Sequence, residues 1–112
     1  MLEWDEAEFI GILEVTPEVI EDEGGGPFYV FNVSNNGVVL ELTVFPFEED
    51  IRFRLFRSGE HHPLLEYQIQ GCKFARHHID TSKNSYLSFV SKTGVEVTVT
   101  AKPDIQVLFA LT

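Results

Sequence analysis

From Phe28 onward, apolar and polar residues alternate with a period of two, which is the pattern of strands with one packed face and one wetted face. The sharpest local signal is Ser34-Asn35-Asn36-Gly37, because Asn36 and Gly37 both accept the positive φ that a two-residue type I′ hairpin turn requires. With those two residues as the loop, Val33 faces Leu40, Phe31 faces Leu42 and Tyr29 faces Val44, so all six share one sheet face. Pro46 cannot donate to a ladder, and Phe47-Glu48-Glu49-Asp50 reads as the turn that follows.

Two further strands come next, with Ile51, Phe53 and Leu55 inward in the first and Leu65, Tyr67 and Ile69 inward in the second, separated by a loop over Ser58 to Pro63. Paired as a hairpin, they bring Arg52 and Arg54 beside Glu66 and Gln68, where opposite charges on neighbouring strands contribute about 0.2–1 kcal/mol per pair. The segment Cys72 to His77 is a weaker strand with Cys72, Phe74 and Arg76 on one side. The polar run Asp80 to Asn84 ends it, Tyr86 to Val90 forms another strand, and Ser91 to Gly94 turns. Val95, Val97 and Val99 alternate with Glu96, Thr98 and Thr100. After a turn at Lys102-Pro103-Asp104, Ile105 to Leu111 closes the chain, and its apolar Leu108 and Ala110 predict a strand covered on both sides.

The N-terminal quarter is less regular. Phe9 to Val15 reads as a strand, Asp5 to Glu8 equally suits the start of a short helix, and Thr16-Pro17-Glu18 resembles an N-cap with Pro at the first position of a helical turn through Ile20. Glu21-Asp22-Glu23-Gly24-Gly25-Gly26 reads as a flexible acidic loop, since three glycines offer no side chain to hold it packed. Together the elements predict one all-β domain spanning residues 1–112: an antiparallel β-sandwich, or a flattened barrel, of 8–9 strands with at most one or two helical turns near the N-terminus. The uniformly apolar inner faces favour the sandwich. The marks of an immunoglobulin domain are absent, because one Cys makes no inter-sheet bridge and Trp4 lies outside the strands.

Charge adds an asymmetry that the alternation hides. The first basic residue is Arg52; thirteen carboxylates precede it, and from Arg52 onward eight Lys or Arg stand against five acids, so −13 and +3 make up the formal charge of −10. Such a chain repels phosphate-rich and anionic surfaces, so neither nucleic acid nor membrane is an expected partner. No apolar run approaches the length of a membrane-spanning helix, and the acidic N-terminus Met-Leu-Glu-Trp-Asp-Glu is unlike a signal peptide, so the chain reads as cytoplasmic. A single cysteine agrees with a reducing compartment.

Candidate chemistry is sparse. His61-His62 and His77-His78 are adjacent pairs whose members point to opposite faces of a strand, and neither has metal-ligand spacing. Cys72 and His77 fall on opposite faces of one strand, which separates a thiol from its general base. The acids beside the glycines lack the alternating spacing of a calcium loop. Arg52, Arg54 and Arg57 form a small cluster that cross-strand pairing accounts for without an anion. No catalytic residue, cofactor or metal site is therefore expected.

The remaining feature is the acidic half, suited to a basic protein surface approached under electrostatic steering. The expected function is a non-enzymatic interaction module of inhibitor or immunity type, with Glu21, Asp22, Glu23, Glu48, Glu49 and Asp50 in two loops as its partner-binding residues. The alternatives are a small-molecule-binding β-barrel or carrier, and a homodimer formed along the edge of Ile105 to Leu111.

Overall fold

The computed structural model describes residues 1–79 and 84–111. Its elements are α1 (Glu6–Leu13), β1 (Glu18–Ile20), β2 (Phe28–Asn35), β3 (Val38–Phe45), β4 (Asp50–Arg57), β5 (Leu65–Gln70), β6 (Ala75–Ile79), β7 (Ser85–Val90), β8 (Val95–Thr100) and β9 (Gln106–Leu111). They form two antiparallel sheets, each a simple meander: β1-β2-β3-β4-β5 and β6-β7-β8-β9. Two open sheets packed face to face make this a sandwich and not a closed barrel.

The hairpin register follows the turn chemistry. Asn36 and Gly37 adopt φ of 51° and 78°, and Val33 pairs with Leu40, Phe31 with Leu42 and Tyr29 with Val44. In the β4–β5 hairpin Arg52 stands opposite Gln68 and Arg54 opposite Glu66, as the alternation predicts. Between the sheets, Phe53 of β4 meets Phe89 of β7 edge-on with ring centroids 5.3 Å apart, and Tyr67 of β5 meets Phe109 of β9 at 4.8 Å.

The N-terminal quarter departs from the expected strand. Phe9 to Val15 is not extended; α1 occupies Glu6–Leu13. Asp5 caps it, its carboxylate accepting from the amides of Ala7 (2.9 Å) and Glu8 (3.3 Å), while Glu6 and Glu8 place negative charge at the positive end of the helix dipole. Glu14 ends the helix in the left-handed region at φ 58°, and its amide donates to Ile10. Phe9 and Leu13, four apart, are the buried face. The Phe9 ring lies between Phe31 and Phe89, at 5.6 and 5.8 Å, so the helix fills the mouth of the sandwich between the two sheets. Trp4 completes this cluster against Phe9, Tyr29 and Phe31.

Three other expectations change. Glu18–Ile20 forms an edge strand paired with Phe28–Val30 in place of a helical turn. The strand expected from Cys72 begins only at Ala75, because the N-terminal segment enters beside it: the Glu3 amide donates to Lys73 O and the Ala75 amide to Glu3 O. Cys72 is consequently buried, while Phe74 and Arg76 point outward with the Arg76 guanidinium 4.6 Å from the Phe74 ring centre. Finally, β9 is an edge strand, and with no third layer among the described residues to cover its outer face Leu108 is 59% exposed and even Phe109 is 43% exposed. Of the polar run between β6 and β7, Asp80 to Lys83 lie outside the described residues.

Candidate functional site

The loops carrying the six acids, β1–β2 and β3–β4, lie at one end of the first sheet, because β2 begins and β3 ends there. Backbone chemistry shapes the first loop: the Asp22 carboxylate accepts from the Gly24 amide (3.1 Å), and the Asp22 carbonyl accepts from the Gly26 amide (3.0 Å). The glycines do more than leave the loop without anchors. A Cβ on Gly25 would sit 2.5 Å from Glu48 Oε1, and one on Gly26, at φ +78°, would sit 2.6 Å from the Phe47 ring. Hence the two loops pack directly on each other, and the two acidic runs form one surface.

Within that surface the six carboxylates differ. Glu21, Asp22, Glu23 and Glu48 are exposed. Glu49 is partly covered and engaged: Lys73 Nζ lies 2.9 Å from both of its oxygens, the N-terminal amine is 3.6 Å away, and the Lys73 hydrogen bond holds its pKa below the ordinary value. Asp50 is buried as the first residue of β4, where its Oδ2 accepts from Gln68 Nε2 at 2.7 Å and lies 3.7 Å from Arg52. Four carboxylates therefore face solvent and two brace the scaffold beneath them. Beside them stand two apolar groups outside the six residues expected to bind a partner, Phe47 (57% exposed) and Met1 (74% exposed). The Leu2 amide, donating to Pro46 O at 2.9 Å, holds the N-terminus against this loop. Pro46 was the available signal for Phe47, since a residue just past a strand-ending proline leaves the inward–outward alternation.

The basic residues are mostly spoken for. Arg54 lies 2.8 Å from Glu66 and 3.5 Å from Glu41, Arg57 is 3.6 Å from Glu60, and the Arg52 guanidinium covers the Phe45 ring at 4.5 Å. His61 and His62 are exposed in the β4–β5 loop, and His78 stacks on Tyr86 at 5.0 Å. His77 places Nδ1 3.6 Å from Glu8 at the junction of α1 and β6. Burial pushes the Cys72 thiol up to about 11, and its Sγ donates to Phe74 O, a thiol unsuited to nucleophilic work. Among the described residues no three His, Cys, Asp or Glu side chains converge as metal ligands, and no helix is long and apolar enough to cross a membrane.

No protein-family model matches the chain, and no curated protein matches it by sequence. Its fold is nevertheless similar to that of a chain in a solved contact-dependent growth inhibition toxin–immunity protein complex from Klebsiella pneumoniae 342. The two superpose with a TM-score of 0.82 over 99% of this chain and 96% of the other, at 16% sequence identity.

Proposed function

We propose that this chain is a non-enzymatic immunity-type module that binds a basic protein through the joined acidic loops. The observation that carries the reading is the packing of Glu48 and Phe47 against Gly25 and Gly26, which turns two separate acidic runs into one patch. Glu21, Asp22, Glu23 and Glu48 supply a field that speeds encounter with a cationic surface, as complementary charge does generally. Phe47 supplies an aromatic anchor of the type that dominates binding energy at interface centres. Glu49 and Asp50, tied to Lys73 and Gln68, hold the loop in place without spending conformational entropy at the moment of binding. The fold similarity to a chain of a toxin–immunity complex supports a toxin as the class of partner; the encounter proposed is cytoplasmic, and the bound chain would act by covering the partner's basic working surface.

The test is capture from native lysate, identification of the retained protein, and titration of that purified protein across a salt series. The parent should bind with affinity that falls as salt rises. A variant carrying Glu21→Gln, Asp22→Asn, Glu23→Gln and Glu48→Gln should bind on the order of tenfold or more weaker and lose most of the salt dependence. A second variant, Glu60→Gln in the distant β4–β5 loop, should bind like the parent. Equal affinity for parent and four-site variant at every salt concentration would discard the reading.

A further inference from the structure

Sheet edges expose unpaired backbone donors and acceptors, and proteins blunt them with short length, charge or cover. Among the described residues four strands are edges, and three are blunted. β1 is three residues long and carries Glu18. β5 carries the exposed Glu66, and β6 carries Arg76, His77 and His78 and is flanked at its start by the Glu3–Phe74 bridge. β9 has none of these devices. It is six residues long, Gln-Val-Leu-Phe-Ala-Leu, with no charge and no proline, and it presents Leu108 and Ala110 on its outer face and Phe109 on its inner face, all exposed.

We propose that β9 is the seam of a two-fold homodimer in which the β9 strands of two copies pair antiparallel and join the two four-stranded sheets. A second copy fits because β9 carries no charge, so two β9 strands laid together bring no like charges face to face, whereas β1, β5 and β6 would each bring charged side chains to the seam. The charge distribution agrees. Asn35 Nδ2 donates to the carbonyls of Ala101 and Pro103, so the loop leading into β9 sits at the Asn36–Gly37 end of the first sheet, opposite the acidic loops. Antiparallel pairing points the two molecules in opposite directions, and the acidic patch of one copy does not face that of the other. Side chains on one sheet face oppose one another across a two-fold seam, and the fullest overlap of two Gln106–Leu111 strands centres the axis on Leu108 or Phe109, so in the proposed dimer one of these two pairs with its own copy. The seam is short, and the dimer is accordingly a concentration-dependent one. Both acidic patches stay open in it, so this inference stands apart from the identity of the partner.

Analytical ultracentrifugation of the purified full chain across a dilution series should show mass rising from 12.8 kDa toward twice that value. Leu108→Lys and, separately, Ala110→Glu place a charge on an exposed edge position and should weaken association on the order of tenfold or more. Circular dichroism spectra and thermal unfolding like the parent's would show that each variant folds. In the complementary experiment, Leu108→Cys and Phe109→Cys are oxidised separately in a chain whose native Cys72 is buried. One of the two should form a disulfide-linked dimer, since directly opposed residues lie within the Cα separation a disulfide spans. A parent that stays monomeric up to about 1 mM, a range that would detect even millimolar dissociation constants, would overturn the proposal. So would a dimer untouched by both charge substitutions, which must be seated elsewhere, or the failure of both cysteines to cross-link.

Discussion

Phe9→Ala measures how much the N-terminal helix contributes to the sandwich. Phe9 is 1% exposed, and its ring meets Trp4, Phe31 and Phe89 with centroids 5.0 to 5.8 Å apart, so truncation leaves a cavity that three fixed rings cannot close. Buried Phe→Ala changes cost about 3–5 kcal/mol, and the rigid aromatic surround puts this site at about 4–5. At 112 residues the whole fold is stable by about 6–17 kcal/mol, so a quarter or more of the total is at stake. With an unfolding entropy of about 0.24 kcal/mol/K for this length, the melting temperature should fall by about 17–21 °C. The assay is urea denaturation followed by far-UV circular dichroism, where a slope of about 1.5 kcal/mol/M converts the loss into a midpoint shift of about 3 M. Phe9→Leu keeps most of the apolar volume and should cost about 1–1.5 kcal/mol. A loss under about 1.5 kcal/mol for Phe9→Ala would refute the reasoning, because that is the response of a side chain lying on a strand edge or on the solvent side of a helix.

Gly11 lies in α1, is exposed, and has nothing within 4 Å of where a Cβ would stand, so Gly11→Ala should stabilise the chain by about 0.5–1 kcal/mol in the same assay; unchanged or lower stability would count against a helix there. The Glu49–Lys73 pair predicts a pH effect of definite sign. A carboxylate whose folded pKa lies below its ordinary value of 4.5 contributes stability above that value and loses it as pH falls through the folded pKa. Lys73→Gln should therefore bring the Glu49 titration, followed by carboxyl carbon NMR, back toward the ordinary value, and the stability difference from the parent should be largest near neutral pH and shrink in acid. An unmoved Glu49 titration in that variant would show that Lys73 is not the cause.

Local chemistry alone determined most of the β architecture. Asn36-Gly37 admits a narrow choice of turn, and that turn together with a strict two-residue alternation leaves one register that buries Phe31, Val33, Leu40 and Leu42 on a common face. The same alternation placed Arg54 beside Glu66. The helix was half legible: Asp5 three residues before Glu8 is the pattern of a capping box, and Phe9 and Leu13 share a helical face. The run Phe9-Ile10-Gly11-Ile12-Leu13 also suits a strand, however, and only a ring-shaped gap between Phe31 and Phe89 decides in favour of the helix. Tertiary structure alone settled the rest, because alternation assigns a residue to a face without saying what lies opposite. It brought the two acidic loops together through glycines that admit Glu48 and Phe47, buried Asp50 against Gln68 while leaving Glu48 in solvent, and put β9 at an edge where Leu108 on its outer face stays 59% exposed. Each of these depends on contacts between residues far apart in the chain, a physical relation that no local spacing encodes.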